Sequence, residues 1–301
     1  MRVLIIGGDG FIGGRLARSL DAAGAAVVRT SRRPGADAVF CDLADAASVR
    51  AALAQARPDA VFQLAGTCAN SDARSHYLVH AVGAANLVEA AAELAPRAAL
   101  LFAGSAAEYG EADPADLPLR EDHPCAPGGF YGAAKLAQTH AAGVAAAMGL
   151  RAVVFRPFNV IGPGLPGHYF LGALARTLAD LAGRSGRGRV PVYNAAATRD
   201  YLDVRDAARA LALLAQAAVD GAPGLAIYNL CSGRETPILE PARRLAAGFG
   251  DFAPYDAGPG PGRSGILRSV GDPGKLCRAT GWAPEFGWER SVDDMLRGLR
   301  P

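Results

Sequence analysis

A chain of 301 residues, half of them apolar and with a formal net charge of +2, is long enough to bury one large core or two unequal ones. Its 31 basic and 29 acidic side chains nearly cancel, which argues against a nucleic-acid partner. Five scattered cysteines with no Cys-x-x-Cys pair point to free thiols in a reducing compartment and away from a metal site.

The apolar start Val3-Leu4-Ile5-Ile6 is too short for a signal-peptide core or a membrane span, so a cytoplasmic protein without a membrane partner is expected. Residues 2–6 read as a buried strand. Gly7-Gly8-Asp9-Gly10-Phe11-Ile12-Gly13 follows at once and opens an amphipathic helix through about Ala23. In this setting Gly7 permits a tight turn, Gly10 lets backbone N–H groups approach a pyrophosphate, and Gly13 allows close helix packing. Strand, glycine turn and helix in that order point to a dinucleotide. A second strand, from Ala26 to about Arg29, ends in Thr30-Ser31-Arg32-Arg33, where an NAD site usually places a carboxylate for the ribose 2′-hydroxyl. Arg32 and Arg33 instead offer planar, permanently charged donors suited to a 2′-phosphate, which favours NADP(H) over NAD(H). The alternative is two solvated arginines beside a loop.

A short strand near Val39-Phe40 leads to Cys41-Asp42-Leu43, with Asp42 a candidate acceptor for the adenine amino group. A helix over 46–56 precedes the strand Asp59-Ala60-Val61-Phe62-Gln63-Leu64, which ends at Ala65-Gly66, small enough for backbone to press against a cofactor. A long helix over about 72–94 leads to strand 98–103 and then to Gly104-Ser105-Ala106-Ala107-Glu108-Tyr109-Gly110. A loop with Pro114, Pro118, Pro124 and Pro127 delivers the chain to Phe130-Tyr131-Gly132-Ala133-Ala134-Lys135. There Tyr131 and Lys135 stand one helical turn apart, and an ammonium beside a phenol favours phenolate, although such a pair also arises by chance. Strand 151–156 opens the Gly- and Pro-rich turn Arg156 to Gly164. Beyond it the spacing predicts helices near 169–182, 203–219, 236–249 and 289–299, a strand at 225–230 and a loop over 257–265. Repeated β-α units with apolar strands predict an α/β fold with a doubly wound parallel sheet, its ligands at the carboxyl ends of the strands.

Taken together, these motifs resemble the extended short-chain dehydrogenase/reductases, the NAD-dependent epimerase/dehydratase group acting on nucleotide sugars. The likeness covers essentially the whole chain. It rests on the glycine triplet, Asp42-Leu43, Leu64-Ala65-Gly66, Ser105 before Tyr109-Gly110, and Tyr131 with Lys135. It continues through Arg156-Pro157-Phe158-Asn159, Arg199 to Val204, Tyr228 to Gly233 and Thr280-Gly281-Trp282. Within the group, Thr30 to Arg32, Phe158 to Gly164 and Tyr228 to Gly233 look most like the GDP-4-keto-6-deoxy-mannose reductases.

The resemblance implies a Rossmann-type dinucleotide-binding domain over 1–162. A smaller C-terminal substrate-binding lobe would be built mainly from 163–301, with some segments returning to the sheet. Catalysis would fall to Ser105, Tyr131 and Lys135: Tyr131 moves the proton, Lys135 binds the nicotinamide ribose and lowers the Tyr131 pKa, and Ser105 hydrogen-bonds the substrate oxygen. The cofactor would be held by Gly7, Gly10, Phe11, Ile12, Gly13, Ser31, Arg32, Arg33, Asp42, Leu43, Leu64, Ala65, Gly66, Phe158, Tyr131 and Lys135. Ser105, Asn159, Tyr193, Arg199 and Arg263 would contact a nucleotide-diphosphate sugar. Family dehydratases and fucose-forming epimerase-reductases carry an extra acid/base group where this chain has Ala106 and Ala107. Neither dehydration nor epimerisation by ring-carbon proton exchange is therefore expected. Glu108 is expected to point away if the stretch is extended. His80 replaces a usual asparagine and is given no role, and His168 faces either the substrate pocket or ordinary surface or core. The implied activity is NADPH-dependent reduction of a 4-keto-6-deoxy nucleotide sugar. An NAD-dependent 4-epimerase and a non-catalytic dinucleotide sensor are the alternatives. Family members often pair through the helices that run here over 72–94 and 130–148, implying a homodimer.

Overall fold

The computed structural model describes residues 1–33, 38–68, 71–183, 186–260 and 266–299. In β1 (Arg2–Ile6) the side chains alternate, sending Val3 and Ile5 to one face of a sheet and Leu4 and Ile6 to the other. There follow α1 (Phe11–Ala22), β2 (Ala26–Ser31) and β3 (Val39–Phe40). Next come α2 (Ala46–Ala56), capped by the Asp45 carboxylate on Ala47 N, and β4 (Ala60–Gln63). The segment expected to be one helix over 72–94 is α3 (Ala73–Tyr77), a π-helical turn at Leu78–Val82 and α4 (Gly83–Leu94). β5 (Ala99–Ala103) leads through 3₁₀ turns at Ala106–Glu108 and Pro114–Asp116 to α5 (Phe130–Ala147).

The later elements are β6 (Arg151–Pro157), β7 (Asn159–Ile161), α6 (Phe170–Ala182), β8 (Arg187–Val192) and β9 (Thr198–Asp203). They are followed by α7 (Val204–Asp220), β10 (Gly224–Leu230), β11 (Glu235–Pro237), α8 (Leu239–Ala247) and β12 (Asp251–Asp256). Two helices close the chain, α9 (Gly274–Thr280) and α10 (Trp288–Leu299). The helix expected to begin near 236 begins instead at Leu239, because Glu235–Pro237 pairs with β9. That start places Pro241 in the first turn, where its missing N–H breaks no helical bond.

Among the described residues, seven parallel strands form the main sheet in the order β10-β6-β5-β4-β1-β2-β3. One face packs Val3, Ile5, Phe62, Leu101 and Phe155 against α1 and α7; the other packs Leu4, Ile6, Val61, Phe102 and Val154 against α2, α4 and α5. This is the doubly wound α/β sheet expected from the apolar strands. A separate core of Leu171, Leu178, Val190, Tyr201, Leu245 and Met295 lies among α6, α8, α10 and the small sheets β11-β9-β7 and β12-β8. The second half of the chain is thus divided: β6, α7, β10 and α9 pack with the main sheet, whereas α6, α8, α10 and the small sheets build the smaller core. Among the described residues, no helix is long and apolar enough to cross a membrane.

Candidate active site

The turn after β1 is shaped by its glycines. Gly7 has φ +91°, and a Cβ there would lie 2.5 Å from Ala65 N, so the loop after β4 presses directly on it. A Cβ on Gly13 would collide with the Gly7 carbonyl, which lets α1 sit close against the turn. Gly10 is the N-cap of α1, yet no side chain caps the helix, so its first-turn N–H groups and positive dipole end remain available to an anion. These features fit a dinucleotide pyrophosphate. Phe11 and Ile12 are half-buried in the first turn of the same helix.

At the end of β2, Ser31 Oγ accepts from Arg33 N at 3.1 Å, and Arg32 and Arg33 are exposed. Asp42 Oδ1 accepts from Ala44 N at 3.0 Å, while Leu43 is buried with its carbonyl taking the Asn86 amide at 2.7 Å. Leu64 and Ala65 both donate their N–H groups to Ile6 O, which fixes the loop through Gly66 beside the glycine turn.

Ser105 leaves the end of β5, and Tyr131 and Lys135 come from the start of α5. Lys135 is buried, with Nζ donating to Ala103 O at 2.6 Å and to Gln138 Oε1 at 3.4 Å. It lies 5.9 Å from the centre of the Tyr131 ring. In this arrangement the net shift of the Tyr131 pKa is upward, so burial outweighs any lowering by the Lys135 ammonium. Burial pushes the phenol up to about 12, with Tyr169 next in effect and the Ser105 hydrogen bond opposing. Burial also lowers the Lys135 ammonium to about 8, against the pull of Glu108. Lys135 is buried and Tyr131 half-buried, so desolvation dominates at both groups.

Glu108 departs from the expectation of an extended stretch. Residues 106–108 form a 3₁₀ turn capped by Ser105, and the buried carboxylate accepts from Ser105 N at 2.8 Å, Thr139 Oγ1 at 2.9 Å and Arg156 Nε at 3.0 Å. The pattern Ser-x-x-Glu was the signal for this turn. Other motif residues are also structural. Tyr109 donates to Asn229 Oδ1 at 2.6 Å, and buried Asp200 accepts from Ser232 N at 2.7 Å and Gly233 N at 2.9 Å. Phe158 packs with Tyr109, Leu119 and Cys231.

Of the residues expected at the sugar nucleotide, Asn159 is half-buried in β7 and paired with Tyr201. Arg199 donates to Thr198 O at 2.7 Å, and burial lowers its pKa. Tyr193 is about half exposed, at 49%, and stands against Gly260. Arg263 lies outside the described residues. The His168 and Tyr169 rings are in tilted contact with centroids 4.3 Å apart. Sequence reasoning missed His76, Thr67 and Gln138, which surround Tyr131 and Lys135 together with His80.

Residues 3–231 match the NAD dependent epimerase/dehydratase family. The chain is 36% identical over 223 residues to the dTDP-6-deoxy-L-talose 4-dehydrogenase (NAD(P)(+)) of Kitasatospora kifunensis, covering 71% of this chain and 70% of that one. It is 30% identical over 262 residues to the GDP-6-deoxy-D-mannose reductase of Pseudomonas aeruginosa, covering 79% of each. The structure of RMD from Pseudomonas aeruginosa complexed with NADPH superposes with a TM-score of 0.85 at 28% identity, over 99% of this chain and 98% of that one.

Proposed function

The chain belongs to the NAD dependent epimerase/dehydratase family and is an NAD(P)-dependent oxidoreductase of the extended short-chain type, and from that premise we propose that it reduces a 4-keto-6-deoxy sugar carried on a nucleoside diphosphate, with NADPH as the preferred cofactor. The observation that carries this reading is the meeting of Ser105, Tyr131 and Lys135 at the carboxyl end of β5, beside the alanines 106 and 107. A proton donor and its supporting groups are present there. At positions 106 and 107 the side chains are methyl groups, unable to move a proton on a ring carbon.

Gly7, Gly10 and Gly13 would receive the pyrophosphate, Asp42 the adenine, and Arg32 and Arg33 a 2′-phosphate. The bound nicotinamide supplies the hydride. Tyr131, protonated throughout the neutral range, gives its proton to the ketone oxygen as negative charge develops there. Ser105, hydrogen-bonded to Tyr131, holds the same oxygen. The Lys135 ammonium, buried beside the phenol, stabilises the phenolate left behind. Asn159, Tyr193, Arg199 and Arg263 would hold the sugar nucleotide, with the arginines as charge-assisted anchors for its diphosphate. A homodimer would pair through the exposed apolar side chains Tyr77, Leu78 and Val82 on one helical segment and Val144 and Met148 at the carboxyl end of α5.

The test is NADPH consumption by the purified protein with a panel of 4-keto-6-deoxy sugars on different nucleoside diphosphates. One of them should turn over, and Tyr131→Phe should cut that turnover by about 10²-fold or more while cofactor binding is kept. Tightly retained NAD with no NADPH consumption across the panel would replace the reductase with the 4-epimerase.

A further inference from the structure

Two buried imidazoles stand edge-on to the Tyr131 ring, His76 at 5.5 Å and His80 at 5.7 Å between centroids. His80 is carried by the π-helical turn, a local insertion that re-aims side chains. Its ring packs on the loop after β4, where a Cβ on Gly66 would lie 3.2 Å from its Cε1. The hydrogen bonds around it have forced directions. Thr67 N–H can only donate, and it lies 3.4 Å from His80 Nε2, so that nitrogen is bare. The Thr67 hydroxyl donates to the same nitrogen at 3.0 Å and accepts from His76 Nδ1–H at 2.6 Å. The proton of neutral His80 therefore sits on Nδ1, 3.1 Å from Gln138 Oε1, an atom that can only accept. That oxygen also takes the Lys135 ammonium at 3.4 Å, while Gln138 Nε2 donates to Ala103 O at 3.0 Å. Turned over, the amide would set its NH₂ against two donors.

We propose that His80 is a positioning residue for Lys135: it fixes the Gln138 amide that receives the ammonium, and through Thr67 it ties Lys135 to the loop following β4. The inference rests on the reading of Lys135 as the lysine of the acid/base pair. A shift of the Gly66–Thr67 backbone is carried through the His80 ring and the Gln138 amide to the Nζ of Lys135. Protons do not follow this route, because Gln138 Oε1 has none to pass on. The Glu108 carboxylate on the 3₁₀ turn acts on Lys135 and His76 on α3 acts on His80, and the Tyr131 ring faces both, 5.9 Å from Nζ and 5.7 Å from the imidazole.

The chain has two lysines, Lys135 and Lys275, so NMR of isotopically labelled lysine follows Lys135 directly, with Lys275 as internal reference and no substrate present. His80→Leu, which loses both ends of the link, is expected to move the Lys135 midpoint by about half a pH unit or more while Lys275 stays in place. His80→Asn keeps an N–H where Nδ1–H was and should hold the midpoint within about 0.2 unit of the wild type. Gln138→Leu should move it as well, and adding His80→Leu should move it no further. If His80→Leu does not fold, His80→Gln, whose amide reaches toward Thr67 and leaves Gln138 without its donor, takes its place. An unmoved midpoint, equal shifts in the Asn and Leu variants, or additive shifts in the double variant overturn the proposal. A wrong substrate class leaves this result untouched, since no turnover is read.

Discussion

Arg156 Nε donates to Glu108 Oε2 at 3.0 Å, and both side chains are shut away from solvent. The same carboxylate accepts from Ser105 N and Thr139 Oγ1, so the ion pair stands directly behind the serine of the site. Removing one partner strands a buried charge. Arg156→Met is expected to cost about 3–5 kcal/mol in urea unfolding, whereas adding Glu108→Gln should cost less than the sum of the single changes. Strict additivity would show that the two groups are not coupled.

His80 sets an acid limit on stability. Burial, reinforced by the charge of Lys135, lowers its pKa to about 3. Between the folded value and the unfolded value near 6.5, the unfolded chain binds more protons at this position, so stability falls as pH falls through that window. The contribution lost between about pH 6.5 and 4 is on the order of 3 kcal/mol. His80→Asn lacks that loss, and its unfolding free energy should decline less steeply over the same range. Parallel curves for the two proteins would exclude the effect.

Lys135 acts at the other end of the scale. Its folded pKa, lowered by burial to about 8, lies below the unfolded value near 10.4. The destabilisation from the buried ammonium is therefore full below pH 8 and fades as pH rises toward 10. Lys135→Met should be more stable than the wild type at neutral pH, by about 1–3 kcal/mol, with the gap closing by about pH 10. Its turnover should fall by about 10²-fold or more. A gap that widens with pH would contradict the burial argument.

Arg32 and Arg33 are exposed at the end of β2. NADPH should bind at least about tenfold more tightly than NADH, a gap of roughly 1.4 kcal/mol. Arg32→Ala with Arg33→Ala should erase that gap in a fluorescence-quenching titration. Equal affinities in the wild type would reduce the two arginines to ordinary surface charge.

Val144 on α5 and Met148, the C-cap that follows it, lie one helical turn apart, and both are exposed. If this face joins two copies, Val144→Glu should convert a dimer to a monomer in sedimentation equilibrium. A wild-type monomer at micromolar concentration would dispose of the dimer.

The first half of the fold was legible because its strands are apolar on both faces and its turns are marked by glycine. Val3 to Ile6 with Gly7 could hardly read otherwise. The later strands were harder. Arg187-Gly188-Arg189-Val190-Pro191-Val192 mixes charge, glycine and proline in an exposed short strand, and nothing in its periodicity names its partner, β12. In the candidate site, Tyr131 and Lys135 were legible from their spacing and Ser105 from the family resemblance. The π-helical turn was not, since an inserted residue leaves the average helical period almost unchanged; with it went the placement of His80 and the whole role of His76. Glu108 was misplaced because an extended stretch was assumed where Ser105 caps a turn.

The last strand to enter the main sheet, β10, covers the edge of β6 along seven residues, Gly224 to Leu230. During synthesis β6 emerges roughly seventy residues earlier, which at typical translation rates of about 5–20 residues per second leaves its edge open for several seconds. Throughout that interval the nascent chain displays an apolar strand, Ala152-Val153-Val154-Phe155, with the edge opposite β5 unpaired and able to join the wrong partner. Newly made protein, rather than the finished enzyme, is where aggregation should concentrate, and a chaperone that shields this edge should raise the soluble yield without altering the folded product.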